Sequence, residues 1–264
     1  MTAQQRKAVA AARLARQELG AGLDAPLASI LDVVEGPGGV PVTIAELPEG
    51  MAGALQLKRG RPFILVNGLD NPARQRFTLA HEFGHWRLGH GEVVDGQQTI
   101  NGKTRDPDEV EANYFAGEFL VPEQAVMAWM QARDEPPVDL QLLVRFAVAF
   151  GVSGAVARIR LKAARYLSPK QNAALERAIK SGEHRQILRW LGLTELQDGI
   201  AEARGNLPRL PARLHENAVR GYQQGLLDVP RLARILRQDT NVTISELERR
   251  GISPLAQEDE EPDY

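Results

Sequence analysis

The spacing of hydrophobic and polar residues predicts that the chain begins with helices and continues into a small sheet. Apolar residues recur at helical intervals up to about Leu19 and again over residues 27–34. The glycine-rich stretch 36–39 interrupts this pattern, and residues 40–44 have the composition of a short strand. A β-hairpin is predicted next from three consecutive segments, namely residues 54–57, the turn Arg59-Gly60 and residues 62–67.

Two of the following segments are apolar around most of their circumference, which predicts buried helices. The first includes Phe77 to Leu88. The second begins after Asp106, a favourable N-cap residue, and ends before Pro122. Residues 91–105 between them are polar and contain glycine, so we predict a loop there, at the rim of a cleft.

The C-terminal half has the pattern of successive short helices. Residues 138–161 have the outline of a helix-turn-helix, with a first helix to Phe150 and a turn at Gly151-Val152-Ser153. Because basic and apolar residues are mixed in its second helix, support of the core is favoured over repressor docking, and docking over direct DNA contact. Later helices are predicted at 169–181, 184–191, 195–203, 214–224, 229–238 and 244–250.

Together these elements predict an α+β fold in four parts. The parts are an α+β domain with the small sheet at 1–135, a helix-turn-helix-like segment at 136–166, an all-helical C-terminal domain at 167–256 and a disordered acidic tail at 257–264. Pro208 and Pro211 mark a further candidate joint within the helical part.

Composition and charge limit what the protein can do. The 264 residues are 43% hydrophobic, which is enough for a full globular core. The lack of cysteine excludes disulfides and thiolate metal sites, and it fits a reducing compartment. A net charge of −2 gives no overall nucleic-acid signature, and no stretch approaches about 18 apolar residues. Because the start of the chain also lacks a signal-peptide core, we expect a soluble, cytoplasmic protein without a membrane partner.

The strongest chemical signal is the sequence His81-Glu82-Phe83-Gly84-His85. On a helix, imidazoles four residues apart project from one face and can hold one Zn²⁺, while Glu82 lies beside them to remove a proton from water. The alternative is an exposed helix with two solvated histidines. Since the flanking residues are apolar, the helix is expected to be buried, and buried polar groups need partners that a metal supplies. The motif therefore predicts zinc-assisted hydrolysis.

A catalytic zinc needs a third protein ligand and an open position. A third histidine six residues after His85 is disfavoured, because that position is Gly91 and His90 lies one position early. Glu109 and Glu111 of the second buried helix compete for the role. At 100° per residue, Glu109 lies about 60° from the centre of the apolar stripe and Glu111 about 100°, which favours Glu109. In the other interpretation, Glu109 only completes a capping box with Asp106.

At this point the sequence resembles the bacterial ImmA/IrrE family of metallopeptidases. The resemblance is specific over residues 50–125 and looser to about 165. It is carried by Arg74 to His85, by Glu109-x-x-Ala112-Asn113-x-Phe115-Ala116 and by Phe119-Leu120-Val121-Pro122. It implies a zincin-like, gluzincin-type fold with His81, His85 and Glu109 on the metal and Glu82 as the general base. Zn²⁺ and Mn²⁺ both stay open as the working metal.

The resemblance also implies a biological role, which is limited proteolysis of a DNA-binding repressor of the XRE helix-turn-helix type. Such a cut would derepress stress-response or mobile-element genes. The competing hypothesis is a regulatory protein with a zincin-like fold that acts on a repressor or on DNA by binding alone. The predicted hairpin is expected either to offer a substrate-binding sheet edge or to be an ordinary core element. Three residues near the motif are open candidates for stabilising the oxyanion: Arg87, His90 and Tyr114.

Overall fold

The chain divides into two compact units, Met1–Arg209 and Leu210–Tyr264. The computed structural model describes residues 1–96, 106–134, 137–193 and 207–254. The first unit is a mixed α+β fold with a small sheet, as predicted. The domain boundaries predicted at residues 135 and 166 both lie within the first unit and stay predictions, and the predicted tail lies outside the described residues.

The helices of the first unit follow the predicted pattern closely. They are α1 (Ala3–Glu18), α2 (Ile30–Glu35), α3 (Pro72–Leu88), α4 (Pro107–Leu120), α5 (Glu123–Gln131), α6 (Leu140–Phe150), α7 (Gly154–Ala163), α8 (Pro169–Ser181) and α9 (Glu183–Trp190). Within the described residues, no single helix is long and apolar enough to cross a membrane. Only α6 and α7 taken together pass that test, and the chain bends by 101° between them.

The sheet has four strands in the order β1-β3-β2-β4. The strands are β1 (Val42–Ala45), β2 (Met51–Lys58), β3 (Arg61–Asn67) and β4 (Val93–Gly96). The predicted hairpin is confirmed as β2 and β3, which pair antiparallel, and β3 also pairs parallel with β1. Because β2 and β3 are the two central strands, the hairpin is an ordinary core element, which was one of the two alternatives, and it does not itself offer the sheet edge.

Strand β4 was not predicted. It pairs antiparallel with β2, with Ala54 opposite Val94, and it forms one edge of the sheet. The loop predicted over residues 91–105 is therefore wrong for Val93–Gly96, and residues 97–105 lie outside the described residues. The β-branched pair Val93-Val94 has the composition of a strand, but it is too short to stand out without its partner.

Local sequence explains where the two central helices begin. The Asn71 side chain caps α3 by accepting a hydrogen bond from the backbone of Arg74, and proline follows in the first turn. Asp106 caps α4 in the predicted way and accepts from the backbone of Asp108. Helix α3 ends at Gly89, whose φ of 78° lies in the left-handed region that glycine adopts without strain.

Helix α3 lies between the sheet and α4, and aromatic packing holds it there. Phe83 of α3 is fully buried against Phe115 and Phe119 of α4, with ring centroids 6.1 and 5.6 Å away. Gly84 lets the helices approach closely, because a Cβ at this position would lie 2.8 Å from Cδ1 of Phe115. This contact places the histidines of α3 beside the first turn of α4.

Gly84→Ala and Gly117→Ala are expected to change stability in opposite directions, although both glycines lie inside helices. The Cβ at residue 84 would overpack against Phe115 and cost about 1 to 3 kcal/mol. At Gly117 the nearest atom would be in the Arg160 side chain at 3.8 Å, so alanine gains helix propensity worth up to about 1 kcal/mol. Denaturant unfolding followed by tryptophan fluorescence measures both, because all three tryptophans lie in the first unit. Equal destabilisation by the two substitutions would contradict the packing argument.

Buried charged groups fix α4 against its other neighbours. Arg16 of α1 is fully buried and donates to four backbone carbonyls, including that of Phe119 at 2.7 Å. Glu118 of α4 is buried and pairs with Arg13 of α1 at 2.7 Å and with Arg160 of α7. Buried charges are tolerated only when they are paired and hydrogen-bonded, so these contacts define one position for α4.

Helices α6 and α7 occupy the segment predicted as a helix-turn-helix. Helix α6 ends at Gly151, which has a φ of 64°, and the two helices cross at 101°. Basic side chains of α7 bind within the first unit, since Arg158 reaches Asn172 at 2.6 Å and Arg160 reaches the Val121 carbonyl at 2.9 Å. These contacts favour the interpretation that the pair supports the core.

The second unit contains three described helices around a core of its own. They are α10 (Ala212–Gln223), α11 (Val229–Leu236) and α12 (Thr240–Arg250). The buried residues of that core are Ala218, Leu232, Leu236 and Leu247. The helices predicted here are present with shifted ends, and the helix predicted at 195–203 lies outside the described residues.

Candidate metal centre

Four buried side chains from three elements meet at one point. His81 and His85 project from one face of α3, Asp95 comes from β4, and Glu109 comes from the first turn of α4. Their ligand atoms all lie within 4.8 Å of one another. The structure therefore brings together the three predicted metal ligands and adds a carboxylate that the sequence argument missed.

The separations among these atoms fit a single divalent cation. The Nε2 atoms of His81 and His85 are 3.0 Å apart. Oε2 of Glu109 lies 3.1 Å from Nε2 of His81, and Oε1 of Glu109 lies 3.5 Å from Nε2 of His85. Oδ2 of Asp95 lies 3.0 Å from Nε2 of His81 and 3.8 Å from Nε2 of His85. In a tetrahedral site with bonds of about 2.1 Å, ligand atoms are about 3.4 Å apart. Imidazole and carboxylate donors suit Zn²⁺ and also Mn²⁺.

Glu82 is fully buried beside this cluster and next to Gly53 of β2. A Cβ at residue 53 would lie 2.8 Å from Oε1 of Glu82, so the glycine leaves the space that the carboxyl group occupies. The carboxyl group of Glu82 interacts with the side chain of Asp95 and with the backbone of Leu55. Burial, reinforced by the charges of Asp95 and Glu109, raises the pKa of Glu82 well above its ordinary value. Such a group readily takes up a proton at neutral pH.

The electrostatics of the cluster favour a bound cation. Burial by itself would lower the pKa of His81, but hydrogen bonds and charges from Asp95 and Glu109 outweigh it and raise that pKa. Burial would raise the pKa of Glu109, whereas its contacts with His81 and His85 hold that pKa well below its usual range. Three carboxyl groups thus surround two imidazoles in a site closed to solvent. A divalent cation would neutralise this excess and satisfy the donors.

His90 supports His85 from the side away from the cluster. Its Nδ1 lies 2.9 Å from Nδ1 of His85, while its Nε2 faces Asp108 at 3.6 Å and Glu111 at 3.7 Å. Partner groups on the second ring nitrogen commonly orient a metal-binding histidine. The position of His90 favours this orienting role over contact with an oxyanion.

The remaining candidates from the sequence lie outside the cluster. Arg87 pairs with Glu18 of α1, and Tyr114 packs against the hydrophobic core. Glu111 pairs with Lys7 at 3.3 Å. The carboxylate of Glu109 lies against His81, so the capping-box interpretation of Glu109 is not supported.

These features define a class of protein with a buried cluster of two histidines and two carboxylates that could hold a metal ion, and with a buried glutamate beside it on the helix of the histidines. Residues 38–162 match the family model described as the IrrE N-terminal-like domain, which is a peptidase family. The matched domain covers just under half of the chain, and it confirms the resemblance to the ImmA/IrrE family found in the sequence. This match indicates a metallopeptidase-type function. None of the curated proteins matches the chain.

Proposed function

We propose that the protein is a zinc-type metal-dependent endopeptidase with a zincin-like fold, which makes a limited cut in an XRE-type helix-turn-helix repressor. The cut would derepress stress-response or mobile-element genes. The observation that carries the peptidase part is the position of Glu82, a fully buried carboxyl group with a raised pKa next to the proposed cation site. A site that only stabilised the fold would have no need of such a group.

His81, His85 and Glu109 are the residues that would hold the metal. When bound, Zn²⁺ or Mn²⁺ would polarise the scissile carbonyl and increase the acidity of water. Burial of both imidazoles keeps their orientation fixed, and His90 adds a contact to the outer nitrogen of His85. The helix therefore presents two nitrogen donors and leaves the third position to the carboxylate of Glu109.

Glu82 would act as the general base and then as the general acid. Its raised pKa brings the carboxyl group closer to the pH at which it must both accept and release a proton. Glu82 would take the proton from the attacking water and return it to the leaving amine. The space left by Gly53 keeps the carboxyl group on the side of the sheet, where an extended peptide would lie.

We further propose that the substrate binds as an added strand along β4. The central position of the hairpin leaves β1 and β4 as the edges, and β1 is partly covered by a bridge from Ile44 to Arg209. β4 carries Asp95 into the cluster, so a peptide paired with its outer side would pass close to the donors. Recognition that depends on one strand edge would exclude most folded cytoplasmic proteins.

The test is incubation of the purified protein with helix-turn-helix repressors encoded beside its gene, with Zn²⁺ or Mn²⁺ and with a chelator as the control. We expect one metal-dependent cut, identified by mass spectrometry, and little degradation of casein. Tight repressor binding without any cut, whether metal is present or absent, would favour the regulatory binding protein instead. Rapid, general degradation of casein would contradict the narrow specificity.

A further inference from the structure

Asp95 has a carboxylate that can bind a metal ion, and it belongs to the edge strand β4. The side chain is only 2% exposed, while the preceding Val94 is 65% exposed, so the strand turns the carboxylate inward. Oδ2 lies 3.0 and 3.8 Å from the Nε2 atoms of His81 and His85. The carboxylate thus occupies the side of the cluster that faces the sheet.

Four protein donors are enough to fill a tetrahedral metal site. Five separations among them range from 3.0 to 3.8 Å, close to the spacing of about 3.4 Å expected for a tetrahedral ion with four protein ligands. Closed sites of this kind hold structural metals, whereas catalytic zinc keeps one position for water or substrate. With all four side chains bound to a metal, the cluster would be complete as a structural site. It would have no coordination position for the water that catalysis needs.

Among the described residues, strand β4 pairs with β2 alone, so the position of Asp95 depends on a single strand pairing. The strand pairs with β2 across a register irregularity between Met51 and Gly53, and Asp95 lies opposite Gly53. Beyond the strand pairing, the backbone of Leu57 donates to the carboxylate of Glu92 at 2.8 Å. In contrast, the other three donors come from helices packed into the core, so they cannot move independently.

We propose that Asp95 is a fourth protein ligand that closes the resting metal site, and that it withdraws when a substrate strand pairs with β4. This inference rests on the proposed function, and it explains how a peptidase avoids cutting other proteins. Recognition and activation would occur on the same four-residue strand. A peptide bound to the outer side of β4 would shift the strand and free the position that water needs.

The test uses the full-length protein loaded with Co²⁺, whose visible absorption depends on the number of ligands. We expect the spectrum of the wild type to be unchanged by azide, because four protein donors fill the site. Asp95→Asn should respond to azide and should bind Co²⁺ at least about tenfold more weakly. Glu92→Gln removes the same charge from the same segment without touching the cluster, and it should behave as the wild type.

The outcomes separate this inference from the proposed function. An azide response in the wild type, or equal Co²⁺ affinity in the wild type and Asp95→Asn, would overturn the assignment of Asp95. The azide result for the wild type stands even where the variant does not fold. With zinc bound, Asp95→Asn should cleave casein faster than the wild type, and an unchanged rate would overturn the gating step. Failure of every form to cut any protein would count against the peptidase itself, while the spectra would still decide the ligand.

Discussion

Glu82→Gln is expected to abolish repressor cleavage while the metal stays bound. Glutamine has the same shape but cannot accept the proton, and loss of a general base costs between about a hundredfold and ten-thousandfold in rate. The substitution also removes one of three carboxyl groups from the cluster. Because the pKa of Glu82 is raised in the folded protein, its charged form opposes folding above the ordinary pKa of a glutamate. The metal-free variant should therefore be at least as stable as the wild type at neutral pH.

Three measurements on the same preparation check this result. Cleavage is followed by mass spectrometry, metal content by elemental analysis, and stability by tryptophan fluorescence during unfolding. Glu92→Gln serves as the matched control, because its carboxyl group lies outside the cluster and contacts the backbone of Leu57. Cleavage by Glu82→Gln at the rate of the wild type would show that another group removes the proton.

Glu109→Gln and Glu111→Gln form the second informative pair. Both residues lie on α4, two positions apart, and both are buried. Only Glu109 contacts the histidines, with oxygens 3.1 and 3.5 Å from their Nε2 atoms. We expect Glu109→Gln to lower metal affinity by more than about a hundredfold and to abolish cleavage, since an amide oxygen is a much weaker ligand. Glu111→Gln should stay within about tenfold of the wild type, because it contacts the site only through His90.

Competition with a chelating dye measures both affinities directly. A ligand that binds only the folded state also raises the unfolding temperature. Added zinc should therefore raise that temperature in the wild type and in Glu111→Gln, and much less in Glu109→Gln. The reverse order of the two variants would mean that the carboxylates have been assigned to the wrong roles.

Much of the candidate site was predictable, because helix geometry is a local property. Residues four apart on a helix share a face, so His81 and His85 had to project together wherever the helix was placed. Glu109 was preferred over Glu111 from the apolar stripe of α4 alone, and the structure brings Glu109 into the cluster. The turn at Gly151 could also be predicted from the sequence, because glycine ends a helix without strain.

The sequence did not predict helix α5, strand β4 or the order of the strands. It identified the hairpin but left its place in the sheet open, because strand order depends on residues far apart in the chain. Strand β4 was read as a loop, since four residues carry too little periodicity to be recognised without β2 beside them. Asp95 was missed for the same reason, and no motif spacing connects it with His81 or Glu109.

The sequence by itself predicted the family resemblance and the helix with two histidines, and it singled out Glu109 as the candidate third ligand and Glu82 as the candidate general base. These depend on residues within one helix or on the buried face that a helix carries in its own pattern. Only the tertiary structure shows that Asp95 adds a second carboxylate beside Glu109, that His90 lies against His85 and that β4 is an edge of the sheet. Those contacts arise where segments distant in sequence pack together, and the spacing of residues along the chain does not record them.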